Sequence, residues 1–149
     1  MRPVLWIKGV IKDSDSDGNG PAAIAVLLKM DPNEEQATRV VRAVGIMQSF
    51  EAEVEALFQG LLLAQKLQLP EIEVRFTSPH LRTRLMEGSF IAPTKMFDRQ
   101  SHQCRHKIDN EFDRVALVYE ETTEESEEWA EVLRLAGVGS EKSERLAGA

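Results

Sequence analysis

"SFEAEVEALFQGLLLAQKLQLPEIEVRFTS", residues 49–78, changes periodicity once, and that change orders the rest of the chain. Phe50, Val54, Leu57, Phe58, Leu61 and Ala64 follow helical spacing. Ser49 is placed to cap the helix, and Glu51 and Glu53 fall in its first turn, where the helix dipole favours anions. Pro70 closes the helix, and "EIEVRFTS" (71–78) then alternates as a strand does. Glu53 shares a helix stripe with Leu57, Gly60 and Ala64, whereas Glu51, Glu55 and Gln59 point outward. A carboxylate on an inward stripe needs a partner, because desolvating a lone charge is expensive.

Upstream, three apolar segments of strand length lie close together. "VLWIKGVI" (4–11), "AAIAVLLKM" (22–30) and "ATRVVRAVGIM" (37–47) are joined by short polar loops, as in an antiparallel meander. Downstream, "SPHLRTRLMEG" (78–88) reads as a short helix with Pro79 in its first turn and Gly88 at its end. Residues 89–112 carry little apolar pattern and read as loop with at most one helical turn. "DRVALVYE" (113–120) is a fifth strand. Thr122 with Glu125 forms a capping-box pattern, and Trp129, Val132, Leu133 and Ala136 make a last amphipathic helix. The order βββ-α-β-α-β-α predicts an α/β fold, a five-stranded mixed sheet flanked by helices. It occupies residues 1–138 as one domain, with a flexible tail over 139–149.

Composition narrows the class. A chain of 149 residues, 42% apolar and 29% charged, suits one soluble domain with a real core. The single cysteine, Cys104, rules out an internal disulfide framework. No signal peptide or membrane span is legible, so the expected location is cytoplasmic, with no membrane partner. Net charge is −7, yet residues 75–107 hold seven cations, Arg75, Arg82, Arg84, Lys95, Arg99, Arg105 and Lys107, against Glu87 and Asp98. That segment is locally about +5 and the remainder about −12, so it is the candidate face for phosphates.

Several local features resemble the ribonuclease H-like fold, in its type I ribonuclease H and reverse-transcriptase-like branch. "GPAAIAVLL" (20–28) is similar to its glycine-proline second strand, and "AEVEAL" (52–57) to its helix opening A-E-x-x-A-L. "TEESEEWA" (123–130) resembles its motif N-x-x-A-D-x-L-A. The likeness covers most of 4–136 and weakens over 89–112. It implies a nuclease site of four carboxylates around two Mg²⁺ ions about 4 Å apart. Glu53 matches the helix glutamate, and Glu127 stands at the last-helix aspartate. The first-strand aspartate is replaced by Lys8, before Gly9; counting back from Gly20 instead reaches Lys12, again a lysine. The fourth-strand aspartate is replaced by Thr77, before Ser78.

Charge decides the consequence. At an effective dielectric of about 20, a unit charge about 4 Å away contributes about 4 kcal/mol, so a lysine at the centre repels a dication. The expectation is a Lys8–Glu53 ion pair in a degenerate site at Lys8, Glu53, Thr77 and Glu127: a pseudoenzyme with no metal cofactor. It would bind RNA, DNA or an RNA–DNA hybrid, a protein partner, or itself. The alternative is a divergent hybrid nuclease with a rebuilt carboxylate site, which alone would need Mg²⁺ or Mn²⁺.

Two other patterns carry weaker chemistry. "DSDSDGNGP" (13–21) offers Asp13, Asp15 and Asp17 with Gly18, the first half of a calcium loop. Position 12 of that loop would be Ile24, where a bidentate glutamate is required, so the stretch reads as a hairpin turn. His102, Cys104 and His106 alternate in "HQCRH" and would offer metal ligands or a Cys–His dyad only if extended. Trp6 and Trp129 read as core anchors.

Overall fold

The computed structural model describes residues 2–87, 93–121 and 126–147. Five strands, β1 (Val4–Ile11), β2 (Gly20–Lys29), β3 (Thr38–Met47), β4 (Glu71–Phe76) and β5 (Arg114–Tyr119), form one sheet in the order β3-β2-β1-β4-β5. The three N-terminal strands pair antiparallel, and β1, β4 and β5 run parallel. This is the mixed α/β sheet expected from the sequence.

The helices are α1 (Ser49–Lys66), α2 (Pro79–Met86), α3 (Lys95–Asn110) and α4 (Glu127–Ala147). Strand alternation sends Leu5, Ile7, Ile24, Val26, Ile72, Val74 and Phe76 to one face, where Val54, Leu57, Leu81, Phe97 and Ile108 from α1–α3 bury them. Val4, Trp6, Ala25 and Leu27 point the other way, against Trp129, Val132 and Ala136 of α4. β1 from Val4 to Ile7 and β2 from Ala22 to Leu28 are apolar without interruption because both their faces are covered. β4 alternates because its second face, carrying Glu73 and Arg75, has no helix over it among the described residues. Both tryptophans are core anchors, Trp129 through a hydrogen bond from its Nε1 to Glu120 Oε2 at 2.7 Å. Among the described residues no helix is long and apolar enough to cross a membrane.

Three expectations are corrected. The segment 89–112, read as loop, contains the sixteen-residue helix α3. Its inward stripe is Phe97, Ser101, Cys104 and Ile108, which follows helical spacing but includes a serine and a cysteine, so the apolar signal is thin. The Thr94 hydroxyl caps it by accepting from Phe97 N–H at 3.2 Å. Helix α3 also covers the flank of α1 that was read as outward. Glu51 is therefore buried, and accepts from the Thr94 hydroxyl at 2.9 Å, while Gln100 donates to Glu55. Second, α1 begins one residue early: Gln48 is its N-cap, with its backbone N–H bonded to Glu51 Oε1 at 2.9 Å. Third, α4 stays helical to Ala147, through the segment read as tail. The Thr122–Glu125 box and Gly88 lie outside the described residues; Ser126 Oγ accepts from Trp129 N–H at 3.2 Å where α4 begins.

Candidate functional site

At the carboxyl ends of β1 and β4 a cleft of about 440 Å³ opens between the N-termini of α1 and α2. Lys8, Gly9, Ser49, Phe50, Glu53, Thr77, Ser78 and His80 are among its lining residues. Gly9 determines its depth. A Cβ there would stand 2.2 Å from the carbonyl carbon of Ala52 and 2.5 Å from Glu53 N, so only glycine lets the first turns of α1 lie against β1. Gly60, two turns on, lets the same helix settle near Ile7, where a Cβ would meet Ile7 Cγ2 at 3.2 Å. Close approach at both points carries the Glu53 side chain onto the strand beside Lys8.

Lys8 Nζ lies 2.8 Å from Glu53 Oε1 and donates to Thr77 Oγ1 at 2.9 Å. The ion pair expected from the sequence is present. Glu53 is 5% exposed, and its second oxygen, Oε2, is buried with no hydrogen-bond partner. Burial pushes the Glu53 carboxyl above its ordinary value; the Lys8 ammonium and the Gly9 backbone N–H pull it down without cancelling that effect. Ser78 Oγ is occupied as the cap of α2, accepting from Leu81 N–H at 3.3 Å. At the rim the exposed His80 ring lies 4.8 Å from that of Phe50, which meets Phe97 edge-on at 5.7 Å.

The structure brings Lys8, Glu53 and Thr77 together and leaves Glu127 out. Glu127 is exposed and lines a separate groove with Lys29, Glu35, Arg39, Glu128 and Glu131. The reason is that α4 is anchored by Trp129 under the opposite face of the sheet, so its first turn sits at the far end of β2. Lys12, the other register for the first-strand position, is at the exposed hairpin, where its backbone N–H donates to Pro21 O at 3.0 Å. Asp13, Asp15 and Asp17 are exposed and outside the cleft. Asp15 Oδ1 accepts from Asp17 N–H at 2.9 Å and Asn19 N–H at 3.0 Å, which is turn capping. Because α3 is helical, Cys104 points inward while His102 and His106 face out, so the alternating trio does not converge. Burial pushes the Cys104 thiol up to about 12, which removes it as a nucleophile.

The basic segment is divided by its contacts. Arg75 pairs with Glu73 at 2.8 Å and Glu120 at 3.1 Å, and lies over Trp6. Arg84 and Arg105 join α2 to α3, through Ser101 Oγ at 3.1 Å and Leu85 O at 2.7 Å. Lys107 donates to Gln65 and pairs with Glu111. Arg82 stands over the Tyr119 ring, with Glu87 only at 3.9 Å. Lys95 and Arg99 are exposed, one turn apart on α3.

Solved structures share this architecture. The chain superposes on ribonuclease H1 from the halophilic archaeon Halobacterium salinarum with a TM-score of 0.79 at 18% identity, covering 95% of this chain and 99% of that one. It matches the N-terminal RNase H domain of a Mycobacterium tuberculosis protein with a TM-score of 0.81 at 18% identity, over 98% of both chains. This chain has the ribonuclease H-like fold. A third match is LC11-RNase H1 in complex with an RNA/DNA hybrid, with a TM-score of 0.75 and 21% identity over 95% of this chain and 99% of that one. No protein-family model matches the chain, and neither does the sequence of any curated protein.

The metal pair implied by the ribonuclease H-like fold does not fit the residues of the cleft. Among the described residues that line it, Glu53 is the one carboxylate, and its Oε1 is already on the Lys8 ammonium. Hard divalent cations need several anionic oxygens, and here a cation and a neutral hydroxyl stand beside the single acid.

Proposed function

We propose that this domain binds nucleic acid and does not cleave it by two-metal hydrolysis. The observation that carries the reading is Lys8 Nζ, held by Glu53 Oε1 at 2.8 Å and Thr77 Oγ1 at 2.9 Å. An ammonium fixed in that position repels a dication and attracts a phosphate oxygen, so the same substitution disfavours hydrolysis and favours binding. Arg82 is one turn from the α2 cap at the cleft. Thr94 ties the start of α3 to Glu51 in the first turn of α1, and Lys95 and Arg99 are exposed in the first turns of α3. The likeness to a ribonuclease H1 that is seen with a hybrid supports a duplex of that kind as the first ligand to try. The cytoplasm, with its hybrids and structured RNAs, is the proposed location.

The test is fluorescence anisotropy with an RNA–DNA hybrid, duplex RNA and single-stranded RNA over a range of salt. Binding should weaken steeply with salt, and Arg82→Glu or Arg99→Glu should weaken it further, reducing the salt slope by about one per lost phosphate contact. Lack of affinity for every nucleic acid would turn the reading toward a protein partner. Incubating the hybrid with Mg²⁺ or Mn²⁺ tests the rival reading: cleavage that disappears in Glu53→Gln would establish a divergent nuclease instead.

A further inference from the structure

The helix that the sequence hid places two imidazoles one turn apart. His102 and His106 occupy positions i and i+4 of α3, both are exposed, and both line one concavity of about 340 Å³ with Phe58, Gln103, Lys107 and Glu111. This concavity shares no lining residue with the Lys8 cleft. Residues at this spacing have Cβ atoms about 6 Å apart on one face of a helix, the separation at which two histidines can share one metal ion.

We propose that His102 and His106 form a two-histidine site for a late first-row dication, copper(II) foremost, then nickel(II) and zinc(II). Imidazole nitrogen suits these borderline ions, and the Irving–Williams order puts copper first. Among the described residues no group of three His, Cys, Asp or Glu side chains is placed to cage a metal, so water fills the remaining positions. Asn110 Nδ2 lies 3.2 Å from His106 Nδ1, which leaves Nε2 on the open side of the ring. Asn110 Nδ2 also donates to the His106 carbonyl at 3.1 Å, which holds that amide in place, so with ligation through Nε2 the Nδ1 proton is left to solvent. Charge at the site is mixed. Lys107 is positive but paired with Glu111 at 3.3 Å, and the Glu111 carboxylate interacts favourably with His106. Lys95 and Arg99 continue the same stripe toward the N-terminus of α3 and oppose a dication, the nearer being Arg99.

Titrating the untagged full-length chain with copper(II), nickel(II) or zinc(II) chloride tests this, with calorimetry for stoichiometry and electron paramagnetic resonance for the copper ligands. The expected result is one copper per chain with a nitrogen-ligated spectrum, tighter than nickel or zinc, and weakened by acid because protons compete with the metal for the ligand nitrogens. His102→Gln and His106→Gln should each lower copper affinity roughly tenfold or more. Because both histidines are exposed, the variants should keep the wild-type circular dichroism spectrum. Wild-type stoichiometry and affinity in the His102→Gln/His106→Gln double variant would overturn the proposal, as would a chain that binds none of the three ions.

Discussion

Two lysine–glutamate pairs in this molecule are built alike and behave oppositely. Lys8 on β1 meets Glu53 of α1 at 2.8 Å, and Lys29 on β2 meets Glu128 of α4 at 3.1 Å. In each, a strand lysine reaches a glutamate in the early turns of a helix. The difference is water. The Glu53 side chain is 7% exposed and that of Glu128 is 22% exposed. Burial lifts the Glu53 carboxyl above its ordinary value despite the ammonium beside it. For Glu128 burial acts in the same direction, but its own backbone N–H, Lys29 and Ser126 outweigh it and the value falls. An ion pair is thus a stabilising feature at the sheet's far end and an expensive one in the cleft. The unsatisfied Glu53 Oε2 points the same way, since a fold optimised for stability alone would not bury it.

The comparison can be broken most forcefully at Lys8. Lys8→Met leaves Glu53 buried without a counter-charge and should lose about 3–5 kcal/mol of stability near neutral pH. Urea denaturation should show this loss shrinking on acidification, as Glu53 takes up a proton. Nearly as large an effect is expected from Gly9→Ala, about 3 kcal/mol, because its Cβ would meet the helix backbone of Ala52 rather than a movable side chain. Thermal unfolding measures it, and an undisturbed melting temperature would show that α1 can stand away from β1. The double variant Lys8→Met/Glu53→Gln removes both charges and should recover to within about 1 kcal/mol of wild type.

The pH dependence sharpens the contrast, because the two glutamates have opposite signs. Glu53, raised, contributes stability that is fully present below the ordinary glutamate value and is lost as pH rises through its folded value. Glu128, lowered, contributes stability above the ordinary value that is lost as pH falls through its folded value. Glu53→Gln should therefore gain on wild type as pH rises above the ordinary glutamate value, and Glu128→Gln should gain on wild type as pH falls below that value. Denaturation midpoints at several pH values distinguish the two slopes. The smallest effect is Lys29→Ala, within about 1 kcal/mol and diminished by salt, as partly exposed pairs generally are.

How far the sequence was legible follows the same physics. The periodicities of 4–47 and 49–78 carried the sheet, because strands buried on both faces and an amphipathic helix announce themselves by spacing alone. Helix α3 did not, since its buried stripe uses Ser101 and Cys104 in place of large apolar residues, and its polar side is held by α1 through Glu51, Thr94, Glu55 and Gln100. The signals that identify it are the Thr94 cap and the spacing of Phe97, Cys104 and Ile108. At the site, Lys8 with Glu53 was legible from position within the strand and helix, but Glu127 was not, because motif position says nothing about where Trp129 anchors α4.

By itself, then, the chain determined its strands, its first helix and the identities of Lys8 and Thr77 where β1 and β4 run into the cleft, since these are properties of local pattern and residue identity. Only the tertiary structure decided that Glu127 lines a groove away from Lys8, which arginines are consumed in joining α2 to α3, and that His102 and His106 share a face. Those outcomes depend on contacts between residues distant in sequence, where burial and the paths of the helices set the partners.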